Sequence, residues 1–178
     1  MKENTQPSQS VKQETSSKEN QGIRKLLPIP LKLQEEWYFC APATVQMILA
    51  SRGVSVSQHQ LAKEMGTYNP YGTHNRDAIR VLNQSLFGYP EPSGNQAGYR
   101  LTTVTDTSPD SEDIRLFKER VRKDIDDGYP LYYTFNVAQI YPGKSGEHNV
   151  IGVGYELTED GKDISAIYYL DPDTHVQL

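Results

Sequence analysis

The strongest constraint on this chain is the order of its hydrophobic patterns. The clear stripes with helical spacing come before Gly128, and the runs rich in aromatic and β-branched residues come after Pro130. Ile114, Phe117, Val121 and Ile125 form the longest stripe, with Ser111 placed to cap it and Gly128 to close it. Three helices precede it. One starts at Ala41, with Pro42 in its first turn, Val45, Ile48 and Leu49 on one face and Gly53 just past its end. A second covers residues 58–65, begun by the Ser57-to-Gln60 capping pattern and stopped by Gly66. A third is capped by Thr73 or Asn75 and buries Ile79, Leu82 and Leu86 before Gly88. Beyond Pro130, residues 131–135, 148–157 and 163–170 read as strands and residues 137–147 as a loop. Residues 89–98 read as a loop and residues 99–105 as one further strand. Helices followed by antiparallel strands predict an α+β domain and not a doubly wound α/β sheet.

The folded body is expected to begin near Ile23. Residues 1–22 hold only Met1 and Val11 as strongly apolar side chains, too little to offset the entropy of ordering, so they read as a disordered polar tail. A folded domain over residues 23–178 retains all the aromatic side chains. Around Pro28 and Pro30 the lead-in segment must be extended. Of the 18 bases and 23 acids, the first 25 residues take five and three, which leaves the body with 13 against 20. An acidic body without a basic stripe disfavours nucleic acid as a partner. No apolar run approaches the length of a membrane span, and no apolar segment of signal-peptide type follows Met1-Lys2. Compartment stays open: cytoplasmic by default, exported or cell-surface if a signal was removed. The sequence does not set an oligomeric state. A single cysteine excludes an internal disulfide.

That cysteine, Cys40, sits where a coil becomes helical, a place that favours the thiolate. On position alone, a free cysteine is more often a small buried hydrophobe than a nucleophile. Of the four histidines, His59, His74 and His175 read as solvated, whereas His148 opens an apolar strand just after a Pro- and Gly-rich loop. If Asp160-Gly161 form a tight hairpin turn, paired residue numbers sum to 321. His148 then faces Asp173, with Asp171 diagonal to it, and all three point from one face of the ribbon. Either carboxylate is placed to hold an imidazole tautomer. Gln34, six residues before Cys40, offers a side-chain amide that can serve as an oxyanion donor. No CxxC or HExxH spacing occurs, so neither a metal nor another cofactor is expected.

Three segments together carry a resemblance. Gln34-x5-Cys40-Ala41-Pro42-Ala43, the run His148-Asn149-Val150 leading into Gly152-Val153-Gly154-Tyr155, and Tyr169-Leu170-Asp171-Pro172 resemble the C39-like branch of the papain-like cysteine peptidases. The resemblance implies a papain-like fold, with N-terminal helices packed on an antiparallel β-sheet. It implies Cys40 as nucleophile, His148 as general base and then acid, Asp171 as the orienting group and Gln34 as an oxyanion donor. It also implies a peptide or protein substrate cleaved through a thioester. Ala41 stands where the family usually carries glycine, and no transporter portion accompanies the match, so the likeness is to stand-alone C39-like domains, which bacteria frequently export. Two other readings use the same residues: a non-catalytic peptide-binding module of papain-like fold, and an acyltransferase or cell-wall amidase. Substrate choice falls to loops such as residues 68–73 and 89–98. Trp37, Tyr71 and Tyr141 suit a groove or the core equally.

Overall fold

A computed structural model of the chain describes residues 23–173. The expected tail over residues 1–22, and His175, lie outside the described residues. Nine elements follow one another: β1 (Arg24–Leu26), α1 (Cys40–Ser51), α2 (Gln58–Met65), α3 (Asn75–Phe87), α4 (Glu112–Asp126), β2 (Leu131–Asn136), α5 (Val137–Ile140), β3 (Glu147–Leu157) and β4 (Ile164–Leu170). Three of the helices form where the stripes and caps predicted. Ser57 accepts from the Gln60 backbone N–H and Ser111 from that of Ile114, each satisfying a donor that the helix start leaves open. Only half of the capping box closes at α2, because the Gln60 side chain turns to Glu64 instead. At α3 the cap position falls to His74, between the two candidates, and no side chain caps it. Cys40 opens α1, one residue earlier than expected. Gly53, with φ +80°, follows its end.

All sheet pairings are antiparallel and all run through β3. One edge of β3 is taken by β4. The other is shared end to end, by β2 opposite Glu147 to Gly152 and by β1 opposite Gly154 to Glu156. With neighbours on both edges and helices on both faces, β3 is buried over nearly its whole length. The helices α1, α2 and α3 pack with Ile151 and Val153 into the larger core, and α4 packs with Tyr155 and Leu157 into a smaller one. Side chains alternating along a regular strand would put all four residues on one face. A register irregularity between Gly152 and Gly154 breaks the alternation and divides them between the two cores. Helix α1 is apolar on nearly every side and is correspondingly enclosed on nearly every side.

Three local expectations need correction. Residues 99–105 form no strand, because the backbone N–H and C=O of Tyr99 are both bonded by the Asn83 side-chain amide, at 2.7 and 2.9 Å, and are lost to a ladder. The segment 137–147 carries the short helix α5, started by Asn136, whose side chain accepts from Ala138 N–H. The β3–β4 turn is wider than two residues: Thr158 and Asp163 close it, and Gly161 N–H bonds Thr158 C=O. Because that loop stays centred on Asp160-Gly161, the predicted register survives. Ile151 pairs with Leu170 and Gly152 with Tyr169, as a sum of 321 requires, and the two irregularities along the ladder cancel.

Candidate active site

Cys40 is the first residue of α1, so its own N–H and that of Ala41 precede any partner inside the helix, and Pro42 has none to offer. His148 lies near the start of β3, which packs directly along α1, and Asp171 comes just past the end of β4. Strand pairing therefore carries the histidine and the aspartate to one end of the sheet, where the cysteine helix begins. His148 Nε2 is 2.6 Å from Asp171 Oδ1. The other ring nitrogen, Nδ1, is thereby left over from that contact, and the His148 imidazole and the Cys40 thiol act on each other's ionisation. Asp171 is held at three points: Oδ1 also accepts from the Asp173 backbone N–H at 2.8 Å, and Oδ2 accepts from Tyr141 Oη at 3.1 Å.

The electrostatics of the pair oppose its burial. Enclosure alone would push the Cys40 thiol up, but the hydrogen bonds from His148 and Asn149, together with the His148 charge, outweigh it and hold the thiol below its usual 9.0. Burial likewise disfavours charge on His148, yet the bonds to Asp171 and Cys40 and the negative charge on both raise it to about 9. Asp171 is disfavoured as an anion by burial, and the His148 and Asp173 donors more than reverse that. The three directions favour one pattern of charge: thiolate, imidazolium, carboxylate.

Cys40 and His148 open onto a cleft of about 440 Å³ whose walls include Trp37, Tyr71, Tyr141 and Lys144. Trp37 and Tyr71 are 62% and 78% exposed, so the aromatics left between groove and core belong to the groove. Of the two loops named for substrate choice, residues 70–72 line the cleft and residues 89–98 do not.

The model of the Peptidase_C39 like family matches residues 26–177. The chain belongs to that family. A crystal structure from Bacillus anthracis, described as that of a candidate C39-like peptidase, superimposes with a TM-score of 0.52 at 14% identity, over 84% of this chain and 83% of that one. At that identity the likeness shows a shared α+β fold. No curated protein matches. Membership of the C39-like family and the fold support a function of the cysteine-peptidase type.

In this C39-like chain, Cys40 and His148 line the same cleft, and of the two aspartates it is Asp171 that is bonded to the imidazole. Pro172 and the turn after β4 bring the Asp173 N–H back onto Asp171, and the Asp173 carboxylate lies 3.6 Å from Lys144 Nζ. Gln34 is fastened close by. Its backbone N–H bonds Pro172 C=O at 2.8 Å, and its side-chain Nε2 donates to Trp37 C=O at 2.8 Å and Glu36 C=O at 3.2 Å. Both amide protons are thus engaged by main-chain carbonyls, and Oε1 is buried without a hydrogen-bond partner. His59 and His74 are exposed, as expected.

Two residues at the site escaped the sequence analysis. Gln58 opens α2 and is only 2% exposed; its side chain accepts from Glu35 N–H and donates to Leu33 C=O, clamping the backbone on either side of Gln34. The capping pattern around it spoke only of backbone. Asn149, 6% exposed, donates from Nδ2 to Cys40 Sγ at 3.3 Å. Its one signal was adjacency to His148 in an otherwise apolar strand.

Proposed function

We propose that this protein hydrolyses a peptide or amide bond by acyl transfer through Cys40. The observation that carries the reading is Cys40 and His148 lining one cleft, with Asp171 bonded to the far side of the imidazole, the thiol held low and the imidazole high. The Cys40 thiolate attacks the substrate carbonyl carbon and the carbonyl π pair moves onto oxygen. As that oxyanion collapses, the C–N bond breaks and His148 Nδ1 delivers its proton to the departing amine. The resulting thioester is attacked by water, whose proton passes to His148; collapse expels the thiolate and releases a carboxylic acid. Asp171 keeps the imidazole oriented and supports its charged form throughout.

The oxyanion needs donors fixed beforehand. The Cys40 N–H at the start of α1 is one. Gln34 is the second, releasing its longer bond, to Glu36 C=O, in exchange for the oxyanion. Replacing Cys40 by Ala is expected to abolish both hydrolysis of a peptide library and labelling by iodoacetamide; hydrolysis persisting in that variant contradicts the proposal. Replacing Gln34 by Ala is expected to lower kcat about 10²-fold while leaving the labelling rate of the free thiol close to wild type. Equal turnover in the two proteins removes Gln34 from the oxyanion site.

A further inference from the structure

Asn149 sits directly across the β2–β3 ladder from Thr134, and its Oδ1 accepts the Thr134 hydroxyl proton at 2.7 Å. Thr134 Oγ1 also lies 3.1 Å from the Asn75 side-chain amide oxygen, but a hydroxyl has one proton and the shorter bond takes it. The Asn75 amide oxygen accepts the Tyr132 hydroxyl proton instead, at 3.2 Å. The bond that orients Asn149 therefore runs from the Thr134 hydroxyl to the Asn149 amide oxygen. An amide whose oxygen is so engaged must present its N–H elsewhere, and here it meets Cys40 Sγ at 3.3 Å. The main chain of Asn149 is tied to the same helix, since Thr44, one turn beyond Cys40 on α1, donates to its C=O at 3.3 Å.

We infer that Asn149 is a second catalytic partner of the sulfur, an oriented amide donor that holds the Cys40 anion beside His148 before substrate arrives. This rests on the acyl-transfer reading above and adds to it a residue outside the Cys40, His148, Asp171 row. The donor is suited to the task because it carries no charge: it stabilises an anion in a buried place without titrating and without competing with His148 for the proton. The titratable groups that face the sulfur are His148 and Tyr132, and burial and the sulfur's own charge keep Tyr132 a neutral phenol.

The test is the pH dependence of Cys40 alkylation by iodoacetamide, followed by intact mass in the full chain; with one cysteine, all label reports Cys40. At about pH 6, Asn149→Asp and Asn149→Ala are expected to react about tenfold more slowly than wild type and to converge with it at high pH, with Thr134→Val in between. A residue that merely packs α1 against β3 would shift melting temperature and leave this profile in place. Asn149→Asp keeps the side-chain shape and Thr134 is exposed, so a readable variant remains if Asn149→Ala fails to fold. An early-rising wild-type profile unchanged in the variants overturns the role of Asn149 alone. A wild type that reacts only as an ordinary thiol, near pH 9, overturns the thiolate–imidazolium reading and this inference with it.

Discussion

At the scale of single residues, the site uses buried charge, and each charge has partners that keep it. His148 is the hinge of the arrangement, since burial would neutralise it and the flanking Asp171 and Cys40 prevent that. With Asp171 changed to Asn, the imidazole loses both a hydrogen bond and a negative neighbour, so its protonated form becomes harder to keep. The alkaline limb of kcat/KM, expected near pH 9 in the wild type, should move down toward the ordinary histidine value, and kcat should fall on the order of 10²-fold or more. A pH–rate profile of Asp171→Asn whose alkaline limb stays in place would show that Asp171 does not support the imidazolium. Tyr141→Phe removes one of three contacts to the same carboxylate and should have a smaller effect in the same direction. Cys40 and His148 were legible in the sequence because each stands out from its neighbours: the lone cysteine at a helix start, and a histidine leading into an apolar strand. Gln58 and Asn149 were not, because a buried amide announces itself only through the partners that tertiary folding supplies.

At the scale of elements, β3 does most of the assembly, and its two glycines explain how. A Cβ at Gly154 would lie 2.3 Å from the Lys25 carbonyl oxygen, and one at Gly152 would lie 2.4 Å from the Tyr133 ring. Neither position tolerates a side chain, since β1 crosses close over one and an aromatic from β2 covers the other. Gly154→Ala therefore forces β1 outward against a backbone atom that has no rotamer to change, and about 1–3 kcal/mol of stability should be lost in denaturant unfolding. A midpoint and slope equal to wild type would contradict that packing. The helices were readable because stripe and cap agree, as at Ser57 and Ser111. Register at the site was readable for a narrower reason. The turn is wider than the Asp-Gly pair implied, but it is centred on that pair, and the irregularities further along the ladder compensate. What misled at residues 99–105 was β propensity in a segment whose backbone is bonded by the Asn83 side chain, a contact between positions 16 residues apart that no local pattern contains.

At the scale of the whole molecule, the fold brings both ends of the described chain to one place. Cys40 and Gln34 come from its first part and His148 and Asp171 from its last, and the bond from Gln34 N–H to Pro172 C=O joins the two directly. Among the described residues, no helix is long and apolar enough to cross a membrane. Segregation of helices from strands placed the cysteine on one layer and the histidine and aspartate on the other, so the site could form only where the layers meet. The account therefore depends on proton ownership across that junction, which ring nitrogen NMR reads directly. In a pH titration of the histidine rings, with His148 assigned by its loss in His148→Gln, the His148 ring should stay protonated to about pH 9 and titrate at lower pH in Cys40→Ala. A His148 ring that titrates near the ordinary 6.5, and does so equally with and without the Cys40 sulfur, would contradict the ion pair on which the proposed chemistry stands.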